Sequence, residues 1–144
     1  MSDIYVVYFS STGNTEAMAK FVAEGIEKKG KTAAVTEIDS ADTEKLKEAK
    51  VLALGCPACG AEELDESMET LIGEIAGSLE GKKVGLFGSY GWGGGDWMRE
   101  WENKMAERGA EIVTGEGVIA LESPDSEAES ALKALGEELA GLAE

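Results

Sequence analysis

The chain has 144 residues, 43% of them hydrophobic, enough for one domain that buries roughly 70% of the surface its unfolded chain exposes, without disulfides or metals. With 29 acidic residues against 13 basic ones the formal net charge is −16, so the surface repels nucleic acid and anionic membranes and attracts basic patches on other proteins. The chain contains no histidine, which excludes a Ser-His-Asp triad, a Cys-His pair and a His-ligated zinc site.

The N-terminus carries no signal-like apolar stretch, no apolar run approaches membrane-spanning length, and two cysteines are too few for a disulfide framework. The expectation is a single cytoplasmic domain over residues 1–144, with no membrane and no nucleic acid among its partners.

Apolar runs and amphipathic stretches alternate along the chain. Ile4 to Phe9 is a near-continuous β-branched and aromatic run, as in a strand buried on both faces. Met18, Phe21, Val22 and Ile26 then fall at helical spacing, and Lys28-Lys29-Gly30 stops that helix. Thr32 to Ile38 reads as an edge-like strand, Ala41 to Ala49 as a short helix around Leu46, and Val51 to Cys56 as a buried strand ended by Pro57. Met68, Leu71, Ile72, Ile75 and Leu79 form a helical stripe before a strand from Lys83 to Gly88. Trp97 or Met98, Trp101 and Met105 carry a helix to Gly109, with both tryptophans assigned to packing. Glu111 to Leu121 is a final strand interrupted in register by Gly115 and Gly117, and Ala128, Leu132, Leu135, Leu139 and Leu142 mark the last helix. Strict alternation predicts an α/β fold: a doubly wound, five-stranded parallel sheet with right-handed crossovers and helices on both faces.

In such a sheet ligands bind at the carboxyl ends of the strands, where strand order reverses. That singles out the loops Ser10 to Thr15, Cys56 to Glu66, Ser89 to Asp96 and Glu122 to Asp125. In the first, Ser10, Ser11, Thr12 and Thr15 offer hydroxyls, Asn14 an amide, and Gly13 close backbone approach. Helix N–H groups add further donors, so a phosphate can be held without a Lys or Arg; the competing reading is a polar helix cap. The loop lacks the GxxxxGK[ST] of P-loop proteins and the GxGxxG of dinucleotide sites.

The run Val6-Val7-Tyr8-Phe9-Ser10-Ser11-Thr12-Gly13-Asn14-Thr15-Glu16-Ala17-Met18-Ala19 resembles the signature of the flavodoxins, and Leu54-Gly55-Cys56-Pro57-Ala58 and Leu86-Phe87-Gly88-Ser89-Tyr90-Gly91-Trp92-Gly93 extend the likeness. The length is that of the short-chain members. The resemblance implies strand order 2-1-3-4-5 and non-covalently bound FMN. It places the phosphate at Ser10 to Thr15 and the flavin ring between two further loops. By the resemblance Trp92, beside Ser89, Tyr90, Gly91 and Gly93, stacks on the outer face. Pro57, Ala58, Cys59 and Gly60 line the inner face, the Gly60 carbonyl accepts from the ring's N5–H, and Glu62 takes the ring's N3–H. Met is frequent where this chain has Cys59.

Cys56-Pro57-Ala58-Cys59 also reads as a CxxC redox pair, which would need a helix N-terminus directly after it. The implied function is a low-potential one-electron carrier that substitutes for ferredoxin, a monomer without substrate turnover of its own. Its partners would be basic surfaces on redox proteins. One carboxylate roughly 10 Å from the ring, at an effective dielectric of about 40, costs about 0.8 kcal/mol, or about 35 mV for one electron. Glu62, Glu63, Asp65, Glu66, Asp96, Glu122 and Asp125 stand in or beside these loops. The alternatives are an FMN-dependent reductase of a quinone or other small molecule, and a phosphate- or nucleotide-binding regulatory module.

Overall fold

The structure is a computed structural model and describes residues 4–10, 13–58, 64–91 and 95–142. Its elements follow the alternation of the sequence: β1 (Ile4–Tyr8), α1 (Asn14–Lys28), β2 (Ala33–Glu37), α2 (Thr43–Glu48), β3 (Val51–Gly55), α3 (Glu66–Ile75), β4 (Lys83–Tyr90), α4 (Asp96–Glu107), β5 (Glu111–Ile112), β6 (Val118–Leu121) and α5 (Ser126–Leu142). The strands form one parallel sheet in the order β2-β1-β3-β4-β5, with β6 also paired to β4.

The expected fifth strand is therefore present in two pieces along one neighbour: β5 lies beside Lys83 and Val84, and β6 beside Phe87 to Tyr90. Between them Thr114 and Gly115 take positive φ values of 65° and 83°, which a continuous strand cannot accommodate. The displaced turn is held from α4, where the Glu102 carboxylate accepts the Gly117 amide at 2.5 Å and Arg99 pairs with Glu102 and Glu116 at 3.3 Å.

Side chains alternate across the sheet, and each face has its own core. Val7, Leu52, Leu54, Val84 and Leu86 face α2, α3 and α4 through Leu46, Met68, Ile75, Trp97, Trp101 and Met105. Ile4, Val6, Ala53 and Phe87 face α1 and α5 through Met18, Val22, Ile26, Leu132, Leu135 and Leu139. Helices α1 and α5 approach closely enough that a Cβ on Gly136 would lie 2.1 Å from the Val22 carbonyl oxygen, and one on Gly25 2.1 Å from that of Lys133.

Lys82 is 4% exposed, and its ammonium donates to the carbonyls of Leu46 (3.1 Å), Lys47 (3.2 Å) and Ala49. These are carbonyls around the C-terminus of α2, a six-residue helix too short to hold itself in water. Burial pushes the Lys82 pKa down, while the carbonyl oxygens favour the charged form. Lys82→Met is expected to cost about 1–3 kcal/mol, the penalty for stranding buried acceptors. It would be read as a lower urea midpoint at unchanged slope.

The remaining cations are distributed unevenly. Lys28, Lys29, Lys31, Lys47, Lys50, Lys83 and Arg108 sit at helix C-termini or at or just before the start of strands, along the amino edge of the sheet. None of the 13 basic residues falls in the four loops at the carboxyl edge.

Candidate functional site

Strand order reverses between β1 and β3. The chain moves outward from β1 through α1 to β2, then returns across β1 to β3, so the loops leaving β1 and β3 diverge and open a crevice at their carboxyl ends. The loop leaving β4 lies beside it. The Phe9 amide donates to Gly55 O (2.9 Å), Cys56 N to Phe87 O (3.1 Å) and Ala58 N to Ser89 O (3.0 Å), which continues the ladder past the strands and ties these exits together.

The first loop enters α1 through Gly13, whose φ of 95° is the left-handed conformation that glycine adopts without steric cost. The amides of Gly13 (3.0 Å) and Glu16 (3.3 Å) both donate to Ser10 Oγ. The first intrahelical bond runs from Ala17 N to Gly13 O, so the Asn14 and Thr15 amides lie ahead of the helical ladder. The Gly13 and Glu16 amides thus converge on the Ser10 hydroxyl at a positive helix end, in a loop with no cation, and such a helix end can hold a phosphate. The cap reading is not displaced by this geometry, because Ser10 also satisfies helix amides.

Asn14 and Thr15 are pinned from two sides. Thr15 Oγ1 and Ser89 Oγ, 1% and 4% exposed, are bonded at 3.1 Å, joining the start of α1 to the end of β4. The Ser123 hydroxyl donates to Asn14 Oδ1 at 3.4 Å, and the Glu122 amide to Tyr90 O at 2.7 Å, which brings the fourth loop alongside. Tyr90 is half-buried, its ring tilted 46° against Trp97 at 5.6 Å, and Gly91 beyond it is exposed. Pro57 is buried and Ala58 half-buried at the edge of the second loop.

The structure therefore gathers Ser10, Gly13, Asn14, Thr15, Pro57, Ala58, Ser89, Tyr90 and Gly91 at one end of the sheet. Ser11, Thr12, Cys59, Gly60, Glu62, Trp92 and Gly93 lie outside the described residues. Of the acidic rim, Asp65 accepts from Ser67 N (2.9 Å) as the cap of α3, and Asp125 from Ala128 N (2.8 Å) in the first turn of α5. An open groove of about 540 Å³ lies between the turn after β2 and the start of α3, lined by Asp39, Thr43, Asp65, Glu66 and Glu74 among others. It shares none of the phosphate-loop residues. The switch-point crevice, where backbone donors converge, is the better candidate.

Three contacts here were not anticipated from sequence: Trp97 Nε1 donates to Cys56 O (3.2 Å), Asp65 N donates to Cys56 Sγ (3.5 Å), and Tyr8 interacts with Glu16. By contrast, the Thr15–Ser89 bond has a sequence signal, a serine near the end of a mostly apolar strand. Burial, aided by the charges of Glu16 and Glu37 and a hydrogen bond to Glu16, raises the Tyr8 phenol above its usual 10.0. Because the unfolded chain then loses this proton first, Tyr8 contributes stability below pH 10 that is lost as pH rises through the raised folded value. Glu16→Gln is expected to bring the phenol back toward 10, as followed by its ultraviolet absorbance.

Among the described residues no helix is long and apolar enough to cross a membrane, and no cluster of acidic or cysteine side chains is arranged to hold a metal ion. The model of the flavodoxin family matches residues 6–134. The chain is 40% identical to a flavodoxin of Megasphaera elsdenii over 93% of its own length and 96% of that protein's. It is 41% identical to a flavodoxin of Clostridium beijerinckii over 95% and 99%. The solution structure of the two-electron reduced Megasphaera elsdenii flavodoxin superposes with a TM-score of 0.88 at 39% identity, covering 96% of this chain and 98% of that one. Sequence and fold agree along nearly the whole length, and the chain belongs to the flavodoxins, FMN-binding proteins that carry electrons between redox partners.

Proposed function

We propose that this flavodoxin is a cytoplasmic, monomeric, low-potential one-electron carrier whose FMN phosphate is held by Ser10 to Thr15 and whose ring lies between the Pro57–Glu62 and Ser89–Gly93 segments. The observation that carries this reading is the convergence of the Gly13 and Glu16 amides on one oxygen at the switch point, in a loop with no cation. FMN, when bound, supplies the two successive one-electron steps. The protein's own groups position the ring and set the cost of its charge. Backbone and hydroxyl donors hold the phosphate without placing a cation near the ring, so nothing in the loop offsets the carboxylates of the rim, and the second electron is added at low potential. The same rim steers the carrier onto basic partners at rates that fall as salt rises.

Adding FMN to apoprotein tests this directly. The expected result is a stoichiometric yellow complex, weaker binding of riboflavin, which lacks the phosphate, and two separated one-electron potentials. The reductase reading is favoured instead if the complex oxidises NAD(P)H rapidly with no added reductase, and an apoprotein that takes up no flavin overturns both.

A further inference from the structure

The turn after β2 and one side of α3 enclose the open groove of about 540 Å³, which the phosphate site does not use. Its two walls carry carboxylates from separate elements. Glu66, Thr70 and Glu74 recur at every fourth residue and so share one face of α3, while Asp39 stands on the other wall, in the turn leaving β2. The groove is not polar throughout. Ile38 and Leu71, 9% and 4% exposed, belong to the core beneath it, and half-buried Ala41 packs on the same core, so apolar surface lies between the carboxylates. Asp65 is already engaged, since its carboxylate accepts the Ser67 amide (2.9 Å) and hydroxyl (2.5 Å) at the start of α3. Asp39, Glu66 and Glu74 are exposed and take part in no ion pair among the described residues, and no Lys or Arg lines the groove. Elsewhere Glu44, Glu111, Glu116 and Glu137 are each matched by a cation of this chain.

We propose that this groove is a docking site for a basic segment of a protein partner, whose lysine stems lie on Ile38, Ala41 and Leu71 while their ammonium groups reach Asp39, Glu66 and Glu74. That the partner is a redox protein rests on the carrier function proposed above; the shape and charge of the groove do not. A lysine carries a run of methylenes below a charged head, and the groove offers the matching order, apolar surface below and unpaired carboxylates at its rim. A metal ion is a poor occupant, because no acidic cluster among the described residues is arranged to hold one. A second copy of the chain is opposed by the net charge of −16 that each molecule carries. Because the groove shares no residue with the phosphate loop, a segment held here does not compete with the cofactor's anchor. The carboxylates speed encounter, and the buried stems slow release.

The test uses a blocked Lys-Ala-Lys-Ala-Lys peptide as the probe, followed by calorimetry and amide chemical shifts on both the apoprotein and the FMN-loaded protein. Saturable shifts are expected in residues 38–43 and 65–74. Glu66→Gln combined with Glu74→Gln is expected to weaken binding by roughly two- to fivefold per carboxylate. Glu107→Gln combined with Glu138→Gln removes the same charge from exposed sites on α4 and α5 and is expected to change it by less than about twofold. Replacing each lysine of the probe by diaminobutyrate, which keeps the charge on a shorter stem, is expected to cost roughly two- to tenfold. Electron transfer from the photoreduced, FMN-loaded protein to a basic cytochrome c is expected to slow more in the first pair than in the second. The proposal is overturned if both pairs weaken the probe equally, or if the shorter stem binds as well, since either result reduces the groove to diffuse acidity. Concentration-dependent self-association that is lost with Glu66→Gln and Glu74→Gln would give the groove to a second copy and overturn the partner. A cytochrome rate that the two pairs change alike overturns the redox role of the site. If the wild type takes up no flavin, the carrier function fails, and the peptide measurements on the apoprotein still decide the groove.

Discussion

Gly136→Ala is expected to destabilise the apoprotein by about 3 kcal/mol and lower its melting temperature by about 6–12 °C, one of the largest effects any single methyl can have here. On helix propensity alone the substitution would stabilise by about 0.5–1 kcal/mol. Sterics win because the new Cβ would lie 2.1 Å from Val22 O and 2.8 Å from Ile26 N, backbone atoms that cannot rotate away. Relief requires α1 and α5 to separate, which loosens the contacts of Met18, Val22, Leu132 and Leu139 along the same seam. Gly73→Ala in α3, where a Cβ would meet nothing within 4 Å, is the control and is expected to stabilise by about 0.5–1 kcal/mol. Thermal unfolding of the two apoproteins checks both signs; equal effects would remove the steric explanation.

Gly13→Ala is expected to weaken FMN binding by roughly five- to thirtyfold while leaving riboflavin binding nearly unchanged. Space is not the obstacle, since nothing stands within 4 Å of the added carbon; the obstacle is φ of 95°, which an L-residue adopts at a cost of about 1–2 kcal/mol. The chain either bears that strain or rotates the Gly13 peptide, and rotation withdraws a donor from the point where the Gly13 and Glu16 amides converge. Flavin fluorescence quenching with the two ligands separates the phosphate contribution from the ring's. An equal loss for both would place the phosphate elsewhere.

Most of the fold was legible because the hydrophobic period changes along the chain and local pattern decides it. The buried run Val51–Gly55 and the stripe from Met68 to Ile75 lie where their spacing placed them, and Trp97 and Trp101, assigned to packing, are each 1% exposed. What the sequence conveyed poorly is non-local. The break between β5 and β6 depends on Glu102, whose carboxylate reaches Gly117 from another helix, and the burial of Lys82 depends on three carbonyls more than thirty residues earlier. At the site, the hydroxyls of the first loop could be recognised by type, but a strand-end cysteine gave no sign that its sulfur would meet the Asp65 amide nine residues on.

The placement of lysines along the amino edge, with the four loops of the carboxyl edge holding no Lys or Arg, also governs motion before contact. Charge separated along the strand axis gives the molecule a permanent electric moment with its negative pole toward the carboxyl-edge loops. A cationic partner then exerts torque as well as attraction, turning the carrier to present that edge while the two are still apart. The torque acts over about one Debye length, about 8 Å at physiological ionic strength and about 30 Å at 0.01 M. Salt therefore shortens the distance over which the carrier can reorient, and the fraction of collisions arriving edge-first falls along with their number.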